Sequence, residues 1–134
     1  MVALAVTAVL VVPAIARTGT RAHLPTVKVT ERDFSISAPK TVASGEISIV
    51  VHNAGPDTHE LIMVRANGKR LPLRSDGLTV NEEALQPRTV ESLDGAPTGA
   101  VRTVTVHLAP GRYVLFCNMA GHYLGGMHTT LVVK

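Results

Sequence analysis

Cys117, His122 and Met127 follow one another at even spacing near the C-terminus, as C-x4-H-x4-M. They stand in the stretch Gly111-Arg112-Tyr113-Val114-Leu115-Phe116-Cys117-Asn118-Met119-Ala120-Gly121-His122-Tyr123-Leu124-Gly125-Gly126-Met127. A thiolate, an imidazole and a thioether are soft or borderline metal ligands, so one short segment offers three of them. A fourth candidate, His59, lies far upstream in a strand-like segment of its own. Two histidines and one cysteine with a weak axial methionine form the donor set of an electron-transfer copper centre. Zinc fits less well, because structural zinc takes more thiolates, or histidine with carboxylate, and methionine serves it poorly.

Such ligands must be held by rigid elements. The residues up to Cys117 read as a short strand, the next ten as a loop, and His128 to Lys134 as a return strand. Cys117 at a strand end has its backbone fixed by the ladder. Gly121 permits a bend before His122, and Gly125-Gly126 let the chain turn back before Met127. Met119, Ala120, Tyr123 and Leu124 give the loop an apolar surface around His122. Such a shell excludes water and tunes a metal's potential.

Upstream, apolar and polar residues alternate with the period of a strand. Val27 and Val29, Phe34 and Ile36, Ile47 to Val51, His59 to Met63, Val104 and Val106, and Leu131 and Val133 mark the runs. Turn residues separate them: Ala38-Pro39, Ser44-Gly45, Asn53-Ala54-Gly55-Pro56-Asp57, Asn67-Gly68 and Ala109-Pro110-Gly111. Seven or eight short strands punctuated in this way predict an all-β fold, a β-sandwich, over residues 26–134. Residues 71–100 depart from the pattern, being polar and poorly periodic, with a helical turn expected at Asn81–Gln86 under an Asn81 cap.

The approach Gly111-x-Tyr113-x-x-x-Cys117, the Gly121-His122 pair and Met127 resemble the copper-binding loop of the cupredoxins, the small blue (type 1) copper proteins. The gaps on both sides of His122 are similar to those of rusticyanin and sulfocyanin. Val50-Val51-His52-Asn53-Ala54-Gly55 followed by His59-Glu60-Leu61 resembles the strand–turn–strand that carries the family's first histidine. The resemblance implies a Greek-key sandwich, one copper ion bound by His59, Cys117, His122 and Met127, and one-electron transfer. It also implies that redox protein partners dock near His122. Many family members carry Asn directly after the first histidine, where it ties the two ligand loops together; this chain carries Glu60.

The remaining features bound the function. A chain of 134 residues is long enough for one domain with a real core. Its net charge of +3 is not gathered into a basic block, which argues against nucleic-acid binding. Residues 1–16 are uncharged and apolar, too short for an ordinary membrane span, and end in Ala14-Ile15-Ala16 before Arg17. They read as a signal peptide or an uncleaved membrane anchor, with residues 17–25 as a linker. Either places the domain outside the cytoplasm, in the periplasm, the extracellular space or on the outer side of the membrane. A single cysteine allows no intrachain disulfide, and metal ligation is one way an exported domain keeps such a thiol. His23, His52, His107 and His128 read as solvated or packed polar residues, and Met63 as core. No catalytic triad, paired-carboxylate site or H-x-H pair stands out, so an enzyme is not expected. An electron carrier is the first reading, and a protein that stores or delivers copper is the alternative.

Overall fold

The computed structural model describes residues 23–134; the apolar run 1–16 and the linker up to residue 22 lie outside the described residues. Two β-sheets pack face to face. The strands are β1 (Thr26–Arg32), β2 (Ser35–Ser37), β3 (Thr41–Val42), β4 (Gly45–Asn53), β5 (His59–Arg65), β6 (Thr89–Ala96), β7 (Val101–Leu108), β8 (Gly111–Phe116) and β9 (His128–Val133). One sheet has the order β2-β1-β4-β7 and the other β3-β9-β8-β5-β6. Pairings β1–β4 and β3–β9 are parallel and the rest antiparallel, so strands distant in sequence become neighbours. This is the expected all-β sandwich, with nine strands among the described residues where the alternation predicts seven or eight. Phe34 stands in the turn between β1 and β2 rather than on a strand.

The alternating residues meet between the sheets. Val27, Val29, Ile47, Ile49, Val51, Val106 and Leu108 come from the first sheet. Leu61, Met63, Tyr113, Leu115, Leu131 and Val133 come from the second, and Cys117 and Met127 join the same core. A core of β-branched and leucine side chains is well suited to pleated surfaces. Tyr113 closes the turn before β8, its hydroxyl donating to the Ala109 carbonyl at 2.8 Å while Arg65 donates to that hydroxyl at 3.2 Å.

The irregular stretch after β5 has an architectural role. A four-residue helix, α1 (Glu82–Leu85), is capped by Asn81, whose side chain accepts from the Ala84 N–H. A 3-10 turn, Gln86–Arg88, follows it. Leu71, Val80 and Leu85 from this stretch pack on Ile62, Val64 and Phe116, covering the outer face of the second sheet. That explains why Leu61-Ile62-Met63-Val64 is apolar without alternation: β5 is buried on both faces. The stretch ends in β6, which pairs with β5 along the sheet edge.

Candidate metal centre

Four chain segments meet at one end of the sandwich. The first is the turn Asn53–Thr58 before β5. Asn53 is fully buried, and its side-chain amide donates to the Asp57 carbonyl at 2.8 Å and the Ala96 carbonyl at 2.9 Å. Its side-chain oxygen accepts from the Gly55 N–H at 3.0 Å. A polar side chain satisfied three times in the interior fixes the turn, and with it the entry of His59 into β5. The second segment follows β8: Cys117 is buried at the strand end, and its N–H donates to the Met127 carbonyl at 3.1 Å.

The third is the loop between them. The His122 N–H donates to the Met119 carbonyl at 2.9 Å, Gly125 to Gly121 at 2.9 Å, and Met127 to His122 at 2.9 Å. Gly121 at φ 80° and Gly126 at φ 106° take left-handed backbone, which glycine adopts without steric cost. Asn118 anchors the loop below: its side-chain oxygen accepts from Val80 N–H, and its amide donates to the Val80 carbonyl and to Glu82. The fourth segment is the Asp33-Phe34 turn between β1 and β2.

His59, Cys117 and His122 converge. One ligand atom from each lies within 4.8 Å of the others. Cys117 Sγ is 3.5 Å from His122 Nδ1, and the two imidazole centroids are 5.2 Å apart. His59 and Cys117 are buried, while His122 is half-buried at the surface. Met127 is fully buried within the same core cluster as Cys117. His52, His107 and His128 are exposed on their strands, His23 is exposed ahead of β1, and Met63 is core.

The donor set has the chemistry of a metal site. His59 Nδ1 is buried and has no hydrogen-bond partner. Leaving such an atom unsatisfied costs about 1–3 kcal/mol, and a metal ion would satisfy it. Burial pushes the Cys117 thiol up, whereas the backbone N–H groups of Glu60 and Met119, bonded to the sulfur, pull it down. Those N–H groups are suited to a thiolate. Two imidazole nitrogens and one sulfur match a copper site better than a zinc site.

Two residues absent from the sequence-derived ligand set support it. Glu60 stands where many cupredoxins carry asparagine, and the nearby Asn118 N–H favours its carboxylate. The Glu60 N–H lies near enough to the Cys117 sulfur to favour its thiolate, so the two ligand segments adjoin at this point. Burial and nearby Glu82 push the Glu60 carboxyl up, against the pull of that Asn118 N–H. Asp33 is the other: His59 Nε2–H donates to Asp33 Oδ1 at 2.9 Å. No local spacing announces it, since 26 residues separate the two.

No protein-family model matches the chain, and no curated protein does. Solved structures do resemble it. An auracyanin from the photosynthetic bacterium Roseiflexus castenholzii aligns with a TM-score of 0.60 at 19% identity, covering 81% of this chain and 96% of that one. Auracyanin A, a "blue" copper protein from Chloroflexus aurantiacus, gives 0.61 at 17% identity over 84% of this chain and all of that one (100%). Rusticyanin from Thiobacillus ferrooxidans gives 0.57 at 18% identity, covering 81% of this chain and 77% of that one. The chain has the cupredoxin fold.

Proposed function

We propose that this protein binds one copper ion as a type 1 centre and carries single electrons between redox protein partners outside the cytoplasm. The carrying observation is the convergence of His59, Cys117 and His122, with a buried His59 nitrogen left unpartnered, at one end of a cupredoxin fold. The residues that would hold copper are His59, Cys117 and His122, with Met127 as a weak fourth donor. Bound there, copper supplies a one-electron couple between Cu(II) and Cu(I). The chain's own task is to hold the donors still. Cys117 and His59 are fixed by the ends of adjacent strands, and loop hydrogen bonds fix His122 and Met127. Donors that move little keep reorganisation small.

His122 is the route outward, since it alone of the converging residues reaches the surface. Around it Phe34, Leu78, Met119 and Leu124 are exposed apolar side chains, a surface suited to a transient protein contact. The reading is of a carrier rather than an enzyme, in keeping with the fold shared with the auracyanin and rusticyanin structures. Export rests on the apolar run 1–16 and on the single cysteine.

Purified protein loaded with Cu(II) should show an intense visible band from thiolate-to-copper charge transfer. It should be reduced reversibly by one electron with copper retained. Cys117→Ser should remain folded and lose the band. A colourless wild type that passes its copper to an acceptor apoprotein would instead indicate storage or delivery.

A further inference from the structure

We propose that Asp33 is a positioning residue for the copper centre, orienting His59 through its outer nitrogen and holding the reduction potential down. The proposal rests on the copper reading above and deepens it.

The turn that carries Asp33 is built for this contact. Arg32 pairs with Ser35, leaving Asp33-Phe34 as a two-residue connection between β1 and β2. Phe34 sits at φ 59°, the left-handed region that glycine or asparagine ordinarily fills at such a corner. A bulky residue held there costs about 1–3 kcal/mol, so the surroundings impose the turn's shape. Those surroundings are the metal-site segments themselves. The Phe34 ring stands edge-on to His122, with centroids 5.4 Å apart, and leaves no room for a Cβ at Gly125. On the other side, a Cβ at Gly55 would come within 2.8 Å of both Asp33 Oδ1 and His59 Nε2. Glycine at 55 is what lets the carboxylate and the imidazole meet.

The meeting has chemical consequences. A carboxylate accepting from Nε2 keeps the proton on that nitrogen and leaves Nδ1 bare. Nδ1 is the nitrogen found buried and unpartnered beside Cys117 and His122. A carboxylate behind a ligating histidine also fixes the ring and makes it a stronger donor. A stronger donor, with a negative charge behind it, favours Cu(II) over Cu(I) and lowers the potential. Asp33 is only partly exposed, its side chain retaining 29% of its accessibility, so water does not fully screen that charge.

The test is Asp33→Asn, which keeps an acceptor oxygen and removes the charge. The blue band should persist, and the ratio of Cu(II) to Cu(I) affinity should fall about tenfold, which for a one-electron couple is a rise of about 59 mV. A blue variant with the wild-type potential overturns the proposal, whatever its unfolding midpoint, because a merely structural prop lowers stability without moving the potential. A colourless wild type would instead overturn the copper reading itself. NMR of the Cu(I)-loaded wild-type chain supplies a second readout that needs no variant. The His59 Nε2 proton should be far downfield and slow to exchange with water; rapid exchange would show that no carboxylate holds it and would overturn the proposal.

Discussion

Met127 has the least conspicuous of the proposed ligand roles. Its side chain is fully buried, and its backbone closes the loop twice, donating to His122 and accepting from Cys117. Burial in the cluster that holds Cys117 suits a weak thioether donor, which would stabilise Cu(II) more than Cu(I). Met127→Leu is close to volume-conserving and should cost less than about 1.5 kcal/mol in the fold. We predict that the variant retains copper and its blue colour while the reduction potential rises, as read by redox titration. An unchanged potential would remove Met127 from the ligand set. Of the residues proposed to build the centre, the three on the C-terminal loop stand out by their spacing. His59 needed the preceding turn as a cue, and Asp33 had no cue at all.

The stretch between β5 and β7 takes its role from packing that no local pattern within it displays. As a sequence it is polar and aperiodic, because only a few of its side chains point inward. Those few, Leu71, Val80 and Leu85, cover Ile62, Val64 and Phe116. A helix of four residues is too short to be stable alone, so α1 depends on that packing. Leu85→Ala should therefore destabilise the protein by about 2–5 kcal/mol, measured by chemical denaturation. The copper-loaded variant should keep its visible band, because the ligand loop's own hydrogen bonds, His122 to Met119, Met127 to His122 and Cys117 to Met127, do not involve α1. Loss of the band would mean that α1 packing, through Phe116, sets the position of Cys117. One signal of the cover was present in the sequence: the unbroken apolar run Leu61-Ile62-Met63-Val64 requires burial on both faces.

At the scale of the whole molecule, the sandwich carries a buried charge pair near the metal end. Glu31 is fully buried, donated to by Arg102, and one of its carboxylate oxygens has no partner. Burial pushes its carboxyl above the ordinary value of 4.5, against the pull of Arg102 and, more weakly, His59. A carboxyl raised in the folded state binds more protons there than in the unfolded chain. Its contribution to stability is therefore full below pH 4.5 and is lost as pH rises through the raised folded value. Relative to Glu31→Gln, the metal-free wild type should gain stability as pH is lowered from neutral through that window. Denaturant melts of the two proteins at several pH values check this, and a wild-type stability that stays constant or falls relative to Glu31→Gln on acidification would contradict it.

By itself the sequence determined the kind of chemistry and the kind of scaffold. Ligand types on one loop are adjacent in the chain, and strand alternation is a local pattern, so both can be read without coordinates. What only the tertiary structure decided is which distant residues reach that loop. His59 and Asp33 arrive through pairings between strands far apart in sequence, and Glu60 comes beside Asn118 in the same way. Such contacts depend on how the sheets stack and where the turns end. That information is spread over the whole core and belongs to no short stretch of residues.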